Sequence, residues 1–227
     1  MTSENKFLIG IGAVTIIIII IGVFFLGKQN KKAEVDTNFD TAKLTEGAVH
    51  TKGNPSAPVV IVEFGDVQCP ACRAAQPIAD KIVEKNIDNV YFIFRHFPLS
   101  IHKNSKLAAQ ATEAAGAQGK FFEMLEVMYD KQNDWAEKAN PRDLYRNYAK
   151  DLGLDMDKFN KDMEDLKSVI EQDYALGNRA GVESTPTFFV NGKKYPGVIQ
   201  EEQFQQLIDG SLTPPTESSN SATQPGQ

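Results

Sequence analysis

The fold of this chain follows from one segment, Val59-Val60-Ile61-Val62-Glu63-Phe64-Gly65-Asp66-Val67-Gln68-Cys69-Pro70-Ala71-Cys72. Its apolar first half predicts a buried strand, and its two cysteines, the only two among 227 residues, open the segment that follows. A C-x-x-C at a strand-to-helix junction is typical of redox motifs. Unpaired N–H groups and the positive end of the helix dipole stabilise a thiolate at such a position. We therefore expect Cys69 to attack and Cys72 to resolve.

Pro70 strengthens the prediction that a helix begins beside Cys69. Proline suits the first helical position because its missing N–H is not needed there and its φ is already helical. A decrease of about 2 in the pKa of the first thiol would stabilise the reduced form by roughly 2.7 kcal/mol. The disulfide would then be about 60 mV more oxidising. A low pKa at Cys69 therefore favours donation of a disulfide.

Composition indicates a single globular domain with appendages. Hydrophobic residues make up 41% of the chain and charged residues 24%, which is ordinary for a globular protein. The net charge of -6 argues against a nucleic-acid partner, because no basic surface is evident.

Residues 7–27, after a short flank of residues 1–6, are apolar or small throughout and include the isoleucine run 16–21. At about 1.5 Å per residue they extend roughly 30 Å, which is enough to cross a bilayer. A cleaved signal peptide is the alternative, but its apolar region should be shorter and followed by a small-residue cleavage site. We expect an uncleaved N-terminal transmembrane anchor.

The charges that flank this anchor conflict with the chemistry of the cysteines. Lys28, Lys31 and Lys32 follow the span and only Lys6 precedes it, so the positive-inside rule alone would place the main domain in the cytoplasm. A dithiol that works through its oxidised form has no use in a reducing cytosol. We therefore expect the catalytic domain to be extracytoplasmic.

The remaining chain divides into a polar tether (28–54), one domain (55–212) and a tail (213–227) whose composition predicts disorder. One edge strand is expected near residues 48–51. In the domain, strands are expected at 59–64, 90–94 and 187–190, with a tight turn at Asn191-Gly192 and a closing helix at 201–208. A helical stretch at about 101–180 interrupts them. Within it, a helix starting at Asp155 has an apolar stripe formed by Met156, Phe159, Met163, Leu166, Ile170 and Tyr174.

Three motifs resemble the DsbA-like thiol-disulfide oxidoreductases, and within them the membrane-anchored bacterial branch. They are Glu63 to Cys72, Phe94-Arg95-His96-Phe97-Pro98-Leu99, and Thr185-Pro186-Thr187-Phe188-Phe189. They occur in the family's order, and the resemblance covers about residues 54–212. It implies an α/β fold: a thioredoxin-like core sheet with an inserted all-helical subdomain, here preceded by one transmembrane helix.

The resemblance also implies roles for residues around the cysteines. Pro186 is expected to follow a cis peptide bond after Thr185, to face the sulfurs and to bind extended substrate segments through backbone pairing. Glu63 is expected to lie beside the deeper cysteine and exchange protons with it, with a pKa raised by burial. Pro70 and Ala71 are expected to tune the potential. Alanine replaces the histidine of the strongest oxidant in the group, so one donor to the thiolate is missing.

Two histidines make a zinc site the competing interpretation of the cysteine pair. His96 and His102 complete a C-x-x-C…H-x5-H pattern, which superficially matches a zinc ligand set. The gap between the two pairs is longer than in ordinary zinc fingers, and the chain has a large core of its own. We expect no metal and no cofactor other than the redox-active disulfide, and a structural or near-site role for His96.

The leading interpretation is an oxidase that donates the Cys69–Cys72 disulfide to reduced exported polypeptides. As the resemblance implies, a quinone-linked membrane partner would re-oxidise it. The first alternative is a reductase or isomerase of the same fold. The second is a non-enzymatic module that binds metal or extended polypeptide.

Overall fold

The computed structural model of the protein describes residues 39–212. The predicted flank, anchor and tail, together with residues 28–38 of the predicted tether, lie outside this range. Within it, no helix is both long enough and apolar enough to cross a membrane.

A mixed five-stranded sheet forms the centre of the described part, with strand order β1-β3-β2-β4-β5. The strands are β1 Thr51–Gly53, β2 Val59–Gly65, β3 Val90–His96, β4 Thr187–Val190 and β5 Lys193–Pro196. Only β2 and β3 are parallel, and the other neighbours are antiparallel. The strands predicted at 59–64, 90–94 and 187–190 are thus confirmed. The central strand β2, which leads to the cysteines, is hydrogen-bonded along both edges.

Nine helices accompany this sheet within residues 39–212. They are α1 Thr41–Thr45, α2 Pro70–Lys85, α3 Ser105–Gly116, α4 Phe121–Asp130, α5 Gln132–Trp135, α6 Arg142–Asp151, α7 Met156–Asp165, α8 Lys167–Arg179 and α9 Glu201–Leu212. Helices α3 to α8 lie between β3 and β4 in the chain, as the predicted helical insertion requires.

Apolar side chains cover both faces of the central strands. Successive residues of a strand point to opposite faces, and they belong here to two different apolar clusters. Ile61 and Phe94 belong to the larger cluster, which also holds Trp135 of the insertion. Val62 and Phe64 belong to the smaller cluster on the other face. The unbroken apolar character of β2 is therefore a consequence of cover on both sides.

The turn between β4 and β5 forms as its two residues predict. Asn191 has φ 47° and Gly192 has φ 82°, the left-handed backbone that a tight hairpin turn requires. The Asn191 side chain also accepts a hydrogen bond from the backbone N–H of Val60 at 2.7 Å. A Cβ at Gly192 would lie 2.3 Å from the Phe39 carbonyl oxygen, so this position requires glycine.

The single long helix predicted from Asp155 is wrong, because the chain forms two helices that meet at Leu166. Asp155 does cap the first helix, accepting hydrogen bonds from the backbone N–H groups of Asp157 and Lys158. The break arises because the two halves pack in different places. Phe159 of α7 is in the larger cluster and Leu176 of α8 is in the smaller one.

The described end of the predicted tether is folded onto the domain. Residues 41–53 contain α1 and the edge strand β1, which begins three residues later than the edge strand expected at 48–51. The buried Arg95 side chain donates to the backbone carbonyls of Leu44 and Glu46 and pairs with Asp173 at 2.8 Å. This bonding explains why a segment of polar composition is ordered.

Candidate active site

The two cysteines lie where β2 passes into α2. Cys69 is the N-cap residue of the helix, with Pro70 in the first turn. The Cys69 N–H donates to the Asp66 carbonyl at 2.9 Å, and the Arg73 N–H donates to the Cys69 carbonyl at 3.1 Å. Both thiols are free; Cys69 is 6% exposed and Cys72 is fully buried. Only the first sulfur is therefore open to a reaction partner.

The environment of Cys69 favours its thiolate. A hydrogen bond from the Cys72 thiol is the largest of the causes that lower the pKa of Cys69 from 9.0 to about 5. The side chain of Thr185 and the backbone N–H groups of Ala71 and Cys72 act in the same direction, and together these groups outweigh the opposing effect of burial. Amide donors at the start of a helix thus contribute as the sequence predicts.

The environment of Cys72 favours its protonated thiol. Burial raises the pKa of Cys72 well above its ordinary value, and the hydrogen bond to Cys69 and the charge of Glu63 add to this effect. One interaction opposes them: the backbone N–H of Asp66 donates to Cys72 Sγ at 3.4 Å. The two thiols therefore have pKa values shifted in opposite directions.

The Thr185–Pro186 segment closes the other side of the sulfurs. Its peptide bond is cis, as the family resemblance implies, and both residues are buried. The Cys69 thiol donates to the Thr185 carbonyl oxygen at 3.3 Å. This contact joins positions 116 residues apart in the chain.

Glu63 is completely buried, and neither of its carboxyl oxygens has a hydrogen-bond partner in the described structure. Its neighbours across the sheet are Phe94 on β3 and Phe188 on β4. Burial raises the pKa of Glu63 to about 8; the charges of Asp80 and Cys69 add to this increase, and that of Lys52 opposes it. The carboxyl is thus protonated near neutral pH, as expected for a group that exchanges protons with a buried thiol.

Tyr129, on α4, is a neighbour of the sulfurs that the sequence did not reveal. Its side chain is 2% exposed, and its hydroxyl has no hydrogen-bond partner among the described residues. Burial raises the pKa of Tyr129 well above its ordinary value, and the charges of Cys72 and Glu63 raise it further. Tyr129 belongs to the larger apolar cluster, and no sequence motif places its phenol beside the cysteines.

The loop that carries Cys69 is attached to the helical insertion. The Gln132 side chain donates to the carbonyls of Val67 and Cys69. The Gln68 side chain donates to the Ala136 carbonyl at 2.8 Å and accepts from the Asn104 N–H at 2.7 Å. The insertion therefore holds the active-site loop in place, a function that helical periodicity alone does not indicate.

The two histidines of the zinc hypothesis have other partners. His96 Nε2 lies 3.1 Å from a Glu113 carboxylate oxygen, and His102 Nδ1 lies 2.7 Å from Asp66. Within residues 39–212, no group of three or more His, Cys, Asp or Glu side chains is arranged to hold a metal ion. The structure therefore does not assemble the four proposed ligands.

A strand–C-x-x-C–helix junction facing a cis-proline segment, on a mixed sheet with a helical insertion, defines a thioredoxin-fold dithiol protein. The sequence model of the thioredoxin family matches residues 45–210, and the chain belongs to this family. It is a DsbA-like member, and its homologues with this fold are thiol-disulfide oxidoreductases.

Solved structures agree with this assignment. A thioredoxin-like oxidoreductase from Silicibacter pomeroyi DSS-3 superposes with a TM-score of 0.66 at 30% identity, covering 77% of this chain and 98% of that one. BdbD from Bacillus subtilis gives 0.64 at 28% identity, covering 71% and 91%. A doubly substituted variant of alpha-DsbA1 from Wolbachia pipientis gives 0.66 at 25% identity, covering 76% and 95%.

Curated relatives match over the same domain but are much longer. A protein named Na(+)/H(+) antiporter NhaA 1 from Mycobacterium sp. (strain KMS) is 40% identical over 155 residues, which are 65% of this chain and 24% of that protein. One of the same name from Salinispora arenicola is 36% identical over 166 residues, again 24% of its length. The chain spans about a quarter of these relatives, so their names say nothing about its substrates.

Proposed function

We propose that this protein is a membrane-anchored, extracytoplasmic oxidase that donates a Cys69–Cys72 disulfide to reduced exported polypeptides. The observation that carries the proposal is the position of Cys69 at the N-terminus of α2, with Cys72 fully buried behind it. This position agrees with the opposite shifts of the two thiol pKa values, with Cys69 lowered to about 5 and Cys72 raised. A stabilised Cys69 thiolate favours the reduced form of the protein, and its disulfide is then a stronger oxidant.

The exchange proceeds in two balanced steps. A substrate thiolate attacks Cys69 Sγ of the protein disulfide, a mixed disulfide forms, and Cys72 leaves as a thiolate that takes up a proton. A second substrate thiolate then attacks the substrate sulfur of the mixed disulfide, the substrate disulfide forms, and Cys69 leaves as a thiolate. Two electrons pass from the substrate dithiol to the protein. In the reverse direction Cys69 attacks and Cys72 resolves.

Residues around the sulfurs have separate roles in this proposal. Glu63, with its pKa raised to about 8 by burial, gives a proton to the departing Cys72 thiolate and recovers it in the reverse reaction. The backbone at Thr185 and Pro186 pairs with the substrate segment as an added strand. Pro70 and Ala71 tune the potential because their side chains offer no donor to the Cys69 thiolate.

The cellular setting rests on the sequence of the N-terminal region. The apolar run at residues 7–27 supports a single transmembrane anchor, and the need to keep a disulfide oxidised supports an extracytoplasmic domain. A quinone-linked membrane partner would regenerate the disulfide. Protease accessibility of the domain in spheroplasts tests the orientation, since a protected domain would contradict it.

Equilibration with glutathione tests the direction of electron flow. We expect a reduction potential clearly above that of thioredoxin, which is about -270 mV. We also expect alkylation of Cys69 with a pH midpoint near 5, where its pKa lies. A potential at or below that of thioredoxin would instead indicate a reductase. Ala71 favours this alternative, because its side chain gives the Cys69 thiolate no hydrogen-bond donor.

Cells that express a Cys72→Ser variant test the substrates. Without Cys72, mixed disulfides on Cys69 cannot be resolved from within the protein, so exported polypeptides should accumulate as covalent adducts that dithiothreitol releases. A Cys69→Ser variant is the matched control and should trap none. Adducts with cytoplasmic proteins alone would contradict the proposed compartment.

A further inference from the structure

Both cysteines contact the backbone of one residue, Asp66. The N–H of Cys69 donates to the Asp66 carbonyl at 2.9 Å, and the N–H of Asp66 donates to Cys72 Sγ at 3.4 Å. Asp66 is 1% exposed. Asp66 therefore contacts the Cys72 sulfur directly, whereas at Cys69 it contacts only the backbone.

The side chain of Asp66 is held by four donors. Its Oδ1 accepts from the Gln68 N–H at 2.8 Å and from the Ser105 hydroxyl at 2.5 Å. Its Oδ2 accepts from the Leu99 N–H at 2.9 Å and from His102 Nδ1 at 2.7 Å. A carboxylate has about four acceptor positions, so this side chain is saturated and fixed. Three of its donors come from the segment that leads from β3 into the insertion.

We propose that Asp66 is a positioning residue for Cys72. Its side chain, held by Leu99, His102 and Ser105, keeps its backbone N–H directed at Cys72 Sγ. This N–H stabilises the Cys72 thiolate, which is formed in one direction of exchange and consumed in the other. The inference rests on the exchange chemistry proposed above and adds the insertion as its structural support.

Oxidation by glutathione disulfide separates the contribution of Cys72 from that of Cys69. In the first step the Cys69 thiolate attacks one sulfur of glutathione disulfide, a Cys69–glutathione bond forms, and one glutathione thiolate leaves. In the second step Cys72 loses its proton to Glu63, as proposed above, and attacks Cys69 Sγ. The Cys69–Cys72 bond then forms and the second glutathione thiolate leaves. Only the second step uses the sulfur that Asp66 contacts.

The experiment follows both steps in the full chain at pH 7 by acid quenching and mass spectrometry. Asp66→Asn removes the charge and cannot accept from four donors. Ser105→Ala and His102→Leu each remove one donor, while His102→Asn retains an N–H near the position of Nδ1. Asp173→Asn is the matched control, because Asp173 is also buried and bonded to Arg95 and the His96 N–H.

We expect the first step to stay within about twofold of wild type in every variant, because no substitution removes a contact of Cys69 Sγ, the attacking atom. The second step should be about tenfold slower in Asp66→Asn and about threefold slower in Ser105→Ala and His102→Leu, as expected for a weakened hydrogen bond to a thiolate. His102→Asn and Asp173→Asn should match wild type.

Each other outcome counts against the proposal. An unchanged second step in Ser105→Ala and His102→Leu would overturn it even if Asp66→Asn failed to fold. Equal slowing of both steps, or the same slowing in Asp173→Asn, would indicate general loosening of the fold. A faster second step in Asp66→Asn would assign the effect to the charge. If no mixed disulfide formed on Cys69, the exchange chemistry itself would fail, and this inference with it.

Discussion

Two glutamates are buried within residues 39–212, and they have opposite charge states near neutral pH. Glu63, on β2 beside the sulfurs, has no hydrogen-bond partner in the described structure, and burial raises its pKa to about 8. Glu113, on α3, is also desolvated, but hydrogen bonds from His50 and His96 outweigh this effect and lower its pKa to about 2. Partners, and not burial, determine which carboxyl is ionised.

The two buried carboxyls differ in whether hydrogen-bond partners fix their protonation state. The His50–Glu113–His96 cluster is tightly packed. His50 stacks on Phe121 at a ring distance of 3.5 Å, and a Cβ at Gly116 would lie 2.9 Å from the His50 ring. The carboxyl of Glu63 instead lacks partners that would fix its proton. Such a group is costly for stability, and it is able to change protonation state when a neighbouring sulfur does.

The largest effect is expected from Glu113→Leu. It should lower the free energy of unfolding by about 4 kcal/mol, because two buried imidazole N–H groups lose their shared acceptor. Chemical denaturation at pH 7 measures this loss. Glu113→Gln keeps an acceptor oxygen and should cost less than half as much. Equal losses in the two variants would show that the charge, and not hydrogen bonding, holds the cluster.

The converse substitution, Glu63→Leu, should raise the free energy of unfolding by about 3 kcal/mol at pH 7, because it removes a buried carboxyl that has no partner and whose ionisation opposes folding. The folded pKa of Glu63 is about 8 and its ordinary value is 4.5, so its contribution to stability is fully present below pH 4.5. That contribution is lost as the pH rises towards 8. The wild type should therefore weaken relative to the variant by up to about 1.4 kcal/mol per pH unit in this window.

Denaturation curves of the reduced proteins at pH 5, 6, 7 and 8 measure the pH effect. Glu63→Gln serves as a polar control without a titrating proton. A stability difference that does not change with pH would show that Glu63 has an ordinary pKa, and the comparison with Glu113 would then collapse.

A smaller gain is expected from Tyr129→Phe. The Tyr129 hydroxyl is buried without a hydrogen-bond partner in the described structure, so its removal should raise the free energy of unfolding by roughly 0.5–1 kcal/mol. Tyr145→Phe is a matched control, because that hydroxyl is also unpartnered within residues 39–212 but belongs to a tyrosine packed against Trp135. A loss of stability in Tyr129→Phe alone would mean that its phenol bonds to the Glu63 carboxyl in solution.

The smallest effect is expected from Glu201→Gln at the start of α9. Glu201 pairs with Lys81 and Lys85 across to α2, but all three side chains are at least 36% exposed. Exposed ion pairs contribute little, so the melting temperature should be unchanged within error at low and high salt. A clear decrease in melting temperature at low salt would show that a surface carboxylate also contributes to stability, as the buried Glu113 does.

Some parts of the site were predictable because they depend on short segments. The strand before Cys69, the proline in the first helical turn and the Asn191-Gly192 turn follow from apolar runs and backbone preferences within a few residues. The cis peptide bond at Thr185–Pro186 followed only from the family resemblance. The break at Leu166 was missed because the stripe from Met156 continues across it without a sequence signal.

By itself, the sequence determined the strand and helix order of the thioredoxin core, the pair of sulfurs and the expectation that the first is the more acidic. Only the tertiary structure decided which buried carboxyl is charged and what holds the active-site loop. The physical reason is that the charge of Glu113 and the position of the loop both depend on hydrogen-bond partners, and these lie far away in the chain. His50 is 63 residues from Glu113, and His102 is 36 residues from Asp66.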